Sequence, residues 1–305
     1  MRVIDFHCDT PAVLFAHRNN ADFCAMAGAE STGSFEFYLQ FSAFFCPQNL
    51  DDESACAAVF EMLDWWQEKP KNTVKCIKSL KNALFENKAA HLLTIEDARL
   101  FAGDLSRVDA LFGHGVRLVT PLWRGVSVMG GAWDTDEGLS PFGALAVERF
   151  LSLGGLVDLS HASRKSHDEI AALCRRYDRA PLATHSNAFA ITPHRRNLTD
   201  EQIRGIAERG GVIGLNFYPA FLSQSGKADL GDLCAHLRHV LRAGGAAAAV
   251  LGSDFDGVDA LPRGISSAAD LPRFAEHLNT SGFTAGEIEA FFFENGRRYL
   301  LENLP

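Results

Sequence analysis

Eight apolar runs of strand length, separated by stretches of helical periodicity, constrain the fold of this chain more than any other feature. The runs are residues 2–6, 36–46, 90–95, 116–120, 155–159, 181–184, 211–216 and 248–252. Helical patterns fall between them at Asp52–Gln67, Val108–His114, Phe142–Leu153, Arg164–Arg176, Asp200–Arg209 and Asp232–Ala243. Strands of a parallel sheet are buried on both faces, so they read as unbroken apolar runs rather than as an apolar–polar alternation. Eight such repeats are the sequence form of an α/β fold, the (β/α)8 TIM-type barrel, and barrels of this kind run to about 250 residues or more. The 305 residues, 47% of them hydrophobic, suffice for one barrel and its core. Residues 11–35, rich in Ala, Gly, Asn and Ser, read as a loop or short-helix excursion over the barrel mouth. Ala268–Asn303 carries two further helical patterns, the second opening on the capping-box spacing Thr284-Ala285-Gly286-Glu287, which predicts a C-terminal helical extension. No linker or low-complexity run divides residues 1–305, so a single barrel domain is expected.

Composition removes several classes of function. A formal charge of -9 and a pI near 5.6 leave no basic stripe to neutralise phosphates, so no nucleic-acid partner is expected. The start of the chain lacks a basic segment, an apolar signal core and a cleavage site, and its end lacks an anchor tail. No run approaches the roughly 18 apolar residues of a membrane span. These features predict a cytoplasmic protein without membrane attachment. Seven cysteines form an odd set without a Cys-x-x-Cys pair, as expected of free, mostly buried thiols in a reducing compartment. Phe291, Phe292 and Phe293 fit either a homodimer contact or the core, and the core is the simpler place for them.

Polar residues collect where the apolar runs end. The first leads into Val3-Ile4-Asp5-Phe6-His7-Cys8-Asp9. Residues two apart share one face of a strand, so the His7 imidazole and the Asp9 carboxylate reach one point while Cys8 faces away. The third run ends in Glu96, the fifth in His161, the sixth in His185 and the eighth in Asp254. Each alone has a plain structural reading. His7 and Asp9 could be a polar strand terminus, and His161 and His185 satisfied core histidines. Glu96 could be an acid opening a helix, and Asp254 a turn or cap residue. Together they place six ligand or acid–base groups at the carboxyl ends of five strands, the face on which barrel enzymes build their sites. Nitrogen and oxygen donors of this kind suit zinc. His161 and His185 with a shared carboxylate would serve one ion, and His7 and Asp9 with the same carboxylate a second. Two ions about 3.5–4 Å apart acidify a shared water, and the chemistry implied is hydrolysis.

A family resemblance rests on Asp5-Phe6-His7-Cys8-Asp9, Leu93-Thr94-Ile95-Glu96, Gly138-Leu139-Ser140-Pro141-Phe142-Gly143, Leu156-Val157-Asp158-Leu159-Ser160-His161-Ala162-Ser163, Thr184-His185-Ser186-Asn187-Ala188, Arg195-Arg196-Asn197-Leu198-Thr199-Asp200 and Gly252-Ser253-Asp254-Phe255-Asp256-Gly257. In these motifs, which run in order through most of the chain, it resembles the membrane (renal) dipeptidases, zinc metallopeptidases of the amidohydrolase-like barrel group. The resemblance implies two Zn2+ ions, with His7 and Asp9 on one, His161 and His185 on the other, and Glu96 bridging. It further implies that Asp254 sits beside the bridging water and that Arg196 binds the terminal carboxylate of a dipeptide. A guanidinium fork suits that task, since it meets a carboxylate through two parallel hydrogen bonds. The animal members are secreted, disulfide-bonded and lipid-anchored, and this chain shows none of those signals.

One position departs from the family pattern. Its better-known members carry a substrate-contacting histidine shortly after the fourth strand, where this chain has Val119-Thr120-Pro121-Leu122-Trp123-Arg124. The indole of Trp123 donates one hydrogen bond and cannot become cationic. Loss of such a donor costs about 10²- to 10³-fold in rate elsewhere, so turnover of ordinary dipeptides is expected to be modest. The expected reaction is attack of a metal-bridging hydroxide on the scissile carbonyl, with Asp254 passing the proton to the leaving amine. Two rivals stand beside it. A lactonase or phosphotriesterase would use the same metals but has no carboxylate for Arg196 to bind. A catalytically silent barrel serving as a binding module predicts decay of a ligand set that is complete here.

Overall fold

The computed structural model describes residues 1–69 and 72–305. Eight parallel strands make the ring: β1 (Arg2–Cys8), β2 (Phe37–Phe45), β3 (Ala90–Glu96), β4 (Val116–Thr120), β5 (Leu156–Val157), β6 (Leu182–Ala183), β7 (Val212–Leu215) and β8 (Ala249–Leu251). They pair in the order β5-β4-β3-β2-β1-β8-β7-β6. The ring closes between β5 and β6 through a parallel bridge from Asp158 to Leu182, where the Leu159 N–H donates to the Leu182 carbonyl at 2.9 Å. This is the (β/α)8 architecture implied by the eightfold alternation.

β5 and β6 are two residues each, shorter than the apolar runs from which they arise. A side chain supplies the reason. Asp158 Oδ1 accepts the backbone N–H of Ser160 at 2.9 Å and that of Thr184 at 2.8 Å, so a carboxylate takes donors that a longer ladder would have paired with carbonyls. Helices Asp52–Gln67 and Arg164–Arg176 occupy the ranges set by their periodicity, each started by a side chain that accepts from the N3 amide, Asp51 from Ser54 and Ser163 from Ser166. The loop after β1 contains the short helix Thr10–Ala16, and a helix not expected from the sequence, Ile77–Glu86, precedes β3.

The interior of the ring is filled by one buried cluster to which every strand contributes, among them Phe6, Phe41, Leu92, Leu118, Leu156, Leu182, Val212 and Val250. Residues from all eight strands can meet only inside a closed ring. Phe293, Tyr299, Leu300 and Leu304 of the C-terminal extension join this cluster, and Tyr299 stacks edge-on against Phe6 at 6.1 Å, so the extension stoppers the barrel at the end remote from the strand carboxyl termini. Removing a ring such as Phe6 from water stabilises the fold by about 2–3 kcal/mol. The capping box of Thr284 and Glu287 forms as its spacing predicts. A π turn, Ala290–Glu294, then carries Phe291, Phe292 and Phe293 into the core. All seven cysteines are unpaired and five are buried. Among the described residues no helix is long and apolar enough to cross a membrane.

Candidate active site

The six polar residues singled out at strand ends converge. β1 ends at Cys8, and Asp9 turns out of the strand (φ −86°, ψ 19°) as the residue before helix Thr10–Ala16. Despite that turn, His7 Nε2 lies 3.4 Å from Asp9 Oδ2, 3.5 Å from Glu96 Oε2 and 3.8 Å from Asp254 Oδ1. The other oxygen of Glu96, Oε1, lies 3.0 Å from His161 Nε2 and 3.6 Å from His185 Nε2. Glu96 therefore faces one group of donors with each oxygen. Cys8 stays outside this arrangement, its thiol 3.6 Å from the Ser253 hydroxyl. Both His161 and Asp254 hold left-handed backbone conformations, with φ of 66° and 64°. A non-glycine residue is strained there, and such strain concentrates at functional sites. Gly257 leaves room for the carboxylates, since a Cβ at that position would lie 2.1 Å from Asp9 Oδ2 and 2.6 Å from Asp254 Oδ1.

Hydrogen bonds identify which ring nitrogens carry protons. His161 Nδ1 lies 2.9 Å from the Trp123 carbonyl, an atom that only accepts, so the proton is on Nδ1. His185 Nδ1 lies 2.8 Å from the Thr184 hydroxyl, which donates its own proton to Asp158 at 2.6 Å. Burial first, and then the Arg196 charge on His161 and the His7 charge on His185, hold both imidazoles below the usual range, hence neutral. Both Nε2 atoms are thus bare lone pairs, 2.9 Å apart and aimed at a carboxylate oxygen. Three acceptors that close repel unless a cation lies among them. His7 points the same way. Burial opposes its protonation, yet Glu96 and Asp9 outweigh burial and lift it well above the ordinary imidazole range. Burial is likewise overcome at Glu96, which His7 and His161 hold far below the carboxylate range, whereas burial and the Glu96 charge push Asp9 up to about 7. Positive charge is what this cluster is built to hold. Among the described residues, neither ring nitrogen of His7 nor Asp9 Oδ1 has a hydrogen-bond partner. The sets Glu96–His161–His185, His7–Asp9–Glu96 and His7–His185–Asp254 each place candidate ligand atoms within 4.8 Å of one another.

The cluster forms the floor of a cavity of about 780 Å³, large enough for a small ligand. Arg196 lines it and is only 4% exposed. Burial lowers its guanidinium to about 10, so it remains cationic at neutral pH. Nη2 donates to the His185 carbonyl at 3.3 Å, while Nε has no partner among the described residues. A buried cation with an unused donor is costly to keep, and an anionic ligand group would offset that cost.

The sequence model of the family described as membrane dipeptidase (peptidase family M19) matches residues 1–302. The chain belongs to the membrane dipeptidase family. An uncharacterized protein from the pqqA 5′ region of Klebsiella pneumoniae is 35% identical over 219 residues, 68% of this chain and 79% of that protein. A dipeptidase described as a metallopeptidase of family M19 superposes with a TM-score of 0.91 at 26% identity, covering 100% of this chain and 98% of that one. A metallopeptidase from Rhodobacter sphaeroides, solved with a phosphinate mimic of the dipeptide L-Ala-D-Ala, superposes with a TM-score of 0.90 at 25% identity over 100% and 99% of the two chains. This protein is therefore a peptide-bond hydrolase of a metallopeptidase family.

The loop after β4 meets the site through its backbone. The carbonyl of Trp123 accepts from His161 Nδ1 at 2.9 Å, a contact that any residue at this position could provide. The indole packs edge-on against Phe45 at 5.1 Å and lines the cavity. Several residues in or beside the cavity were not anticipated from the sequence. Asn216, just past β7, donates to Asp254 Oδ2 at 2.8 Å and leaves Oδ1 facing His7. His194 is held between Trp133 and Phe221, with ring centroids 5.3 and 4.7 Å away. Asn216 carried a usable signal, a polar residue at a strand end, whereas nothing local distinguished His194, Trp133 or Phe221.

The loop bearing Arg196 is pinned by a buried histidine on helix Leu230–Gly244. The Ala188 N–H donates to His236 Nδ1 at 3.1 Å, and Nε2 lies 3.0 Å from the Leu222 carbonyl. Only a neutral ring satisfies both contacts, and burial lowers His236 from 6.5 to about 4. The unfolded chain binds this proton more readily than the native one. The contribution of His236 is therefore complete above pH 6.5 and is lost as pH falls toward 4, by about 3 kcal/mol at 1.36 kcal/mol per unit. Unfolding free energy measured from pH 7 to 4 is expected to fall less steeply in His236→Gln than in wild type. Parallel slopes would show that His236 does not titrate on unfolding.

Proposed function

We propose that this protein hydrolyses dipeptides at a centre holding two zinc ions. Glu96 carries the proposal, because its two oxygens face different donor groups, His161 with His185 on one side and His7 with Asp9 on the other. Nitrogen and oxygen donors with bare lone pairs fit zinc. Zinc bound by these residues would polarise the scissile carbonyl and lower the pKa of a bridging water. Asp254 would receive the proton of the attacking water through Oδ1 and return it to the leaving amine. Burial raises its pKa, which brings the carboxyl nearer the range in which it both accepts and releases a proton. Arg196 would hold the terminal carboxylate and so limit substrates to those with a carboxylate near the scissile bond. The dipeptide mimic bound by the Rhodobacter sphaeroides relative supports a substrate of this size. Unpaired cysteines support a cytoplasmic location.

The test compares Arg196→Ala with wild type on dipeptides and on their C-terminal amides. Leaving a carboxylate without its buried cation costs about 2–5 kcal/mol, so kcat/KM for dipeptides is expected to drop about 10²-fold or more. Amides are expected to be poor substrates for both proteins. Unchanged dipeptide turnover, together with turnover of neutral lactones or phosphotriesters by wild type, would replace the dipeptidase proposal with the lactonase one.

A further inference from the structure

We propose that Asp158, acting through the Thr184 hydroxyl, determines which nitrogen of His185 carries the ring proton, and thereby sets the metal affinity of the Glu96–His161–His185 group. The proposal rests on that group being a metal site. Asp158 is fully buried and lies outside the ligand set. Its Oδ1 accepts the backbone N–H groups of Ser160 and Thr184 at 2.9 and 2.8 Å, and its Oδ2 accepts the hydroxyls of Thr120 and Thr184 at 2.8 and 2.6 Å. A carboxylate offers about four lone-pair positions, and all are used.

The polarity of the chain is therefore fixed from its buried end. Thr184 commits its only proton to Asp158 and keeps a lone pair for His185 Nδ1, 2.8 Å away. That contact is a hydrogen bond only if Nδ1 bears the proton. A neutral imidazole has one N–H, so Nε2 is left bare in front of Glu96 Oε1 and His161 Nε2, at 3.6 and 2.9 Å. Ser160 Oγ accepts the backbone N–H of His185 at 3.1 Å and holds the ring in register. Groups behind a ligating histidine commonly fix its tautomer and basicity, and losing them weakens metal binding about 10- to 100-fold. Here a hydroxyl stands between carboxylate and ring, and this makes the device reversible. In Asp158→Asn the amide oxygen must stay at Oδ1 to serve two backbone donors, so the NH2 group falls at Oδ2 and donates to Thr184. Thr184 then has to donate onward to His185 Nδ1, which moves the ring proton to Nε2, toward the cation.

The experiment titrates metal-free wild type, Asp158→Asn, Thr184→Val and Thr184→Ser with Zn2+ against a chromogenic chelator. Nitrogen-15 NMR of the metal-free proteins reports the tautomer of His185, and melting temperatures report folding. Zinc affinity is expected to fall about 10- to 100-fold in Asp158→Asn and Thr184→Val and to stay near wild type in Thr184→Ser. The His185 proton is expected on Nδ1 in wild type and on Nε2 in Asp158→Asn. Thr184→Val keeps the shape of the side chain and answers the question if Asp158→Asn does not fold. Affinities within twofold of wild type in whichever of Asp158→Asn and Thr184→Val folds, or an unchanged tautomer in Asp158→Asn, would overturn the proposal. Absence of zinc binding by wild type would instead overturn the metal reading on which it rests.

Discussion

Replacing Glu96 with alanine is expected to strip the protein of bound metal and to lower kcat/KM for dipeptides by at least about 10³-fold. Glu96 faces one donor group with each of its oxygens. Glu96 Oε1 is 3.0 Å from His161 Nε2 while Oε2 is 3.5 Å from His7 Nε2, so one substitution removes a ligand from each side. If metal held there activates the attacking water, as proposed, its loss raises the pKa of that water and leaves hydroxide scarce at neutral pH. The fold is expected to survive, because the substitution removes a buried charge rather than a packing element. Elemental analysis, circular dichroism and steady-state kinetics on one preparation check the three parts. A folded variant with two metal equivalents and more than a tenth of wild-type activity would remove Glu96 from the centre.

Asp254→Asn is expected to keep its metal and lose about 10²- to 10⁴-fold in kcat, with little change in KM. Asp254 Oδ1 is 3.8 Å from His7 Nε2, farther than Asp9 at 3.4 Å or Glu96 at 3.5 Å, which suits a proton carrier beside the centre better than a principal ligand. The substitution preserves shape and leaves an amide oxygen for the Asn216 donor now 2.8 Å from Oδ2. What disappears is the capacity to accept and release a proton. Equal activity would exclude Asp254 from proton transfer, and loss of one metal equivalent would reassign it as a ligand. Wild-type kcat is expected to decline as pH falls through the raised pKa of Asp254, because the protonated carboxyl cannot act as base. The asparagine variant should lack that limb.

His7, Glu96, His161, His185 and Asp254 were legible because each follows an apolar run and polar side chains are scarce in such runs unless something uses them. Arg196 was legible only through the motif around it, since an Arg-Arg pair in a loop otherwise reads as solvated surface. The shortness of β5 and β6 was not legible. Hydrophobic periodicity reports burial, and Val157 and Ala183 are as buried as ladder residues even though Asp158 takes the amides of Ser160 and Thr184 that follow them. For the same reason the interior and outer faces of the strands could not be told apart, because both are apolar. At residue 123 it is the carbonyl that accepts from His161, and a carbonyl leaves no trace in sequence.

The sequence by itself determined the number and order of the strand–helix repeats, the helical extension that follows them, and the donors placed at strand ends, because these follow from local periodicity and residue chemistry. Only the tertiary structure decided that Glu96 faces two donor groups, that the Nε2 atoms of His161 and His185 are bare, and that Asp158 is linked to His185 through the Thr184 hydroxyl. Closing the ring brings Ser253 within 2.9 Å of Asp5 across 248 positions of chain. Contacts at that separation depend on how the whole barrel packs, and no local pattern of residues encodes their distances.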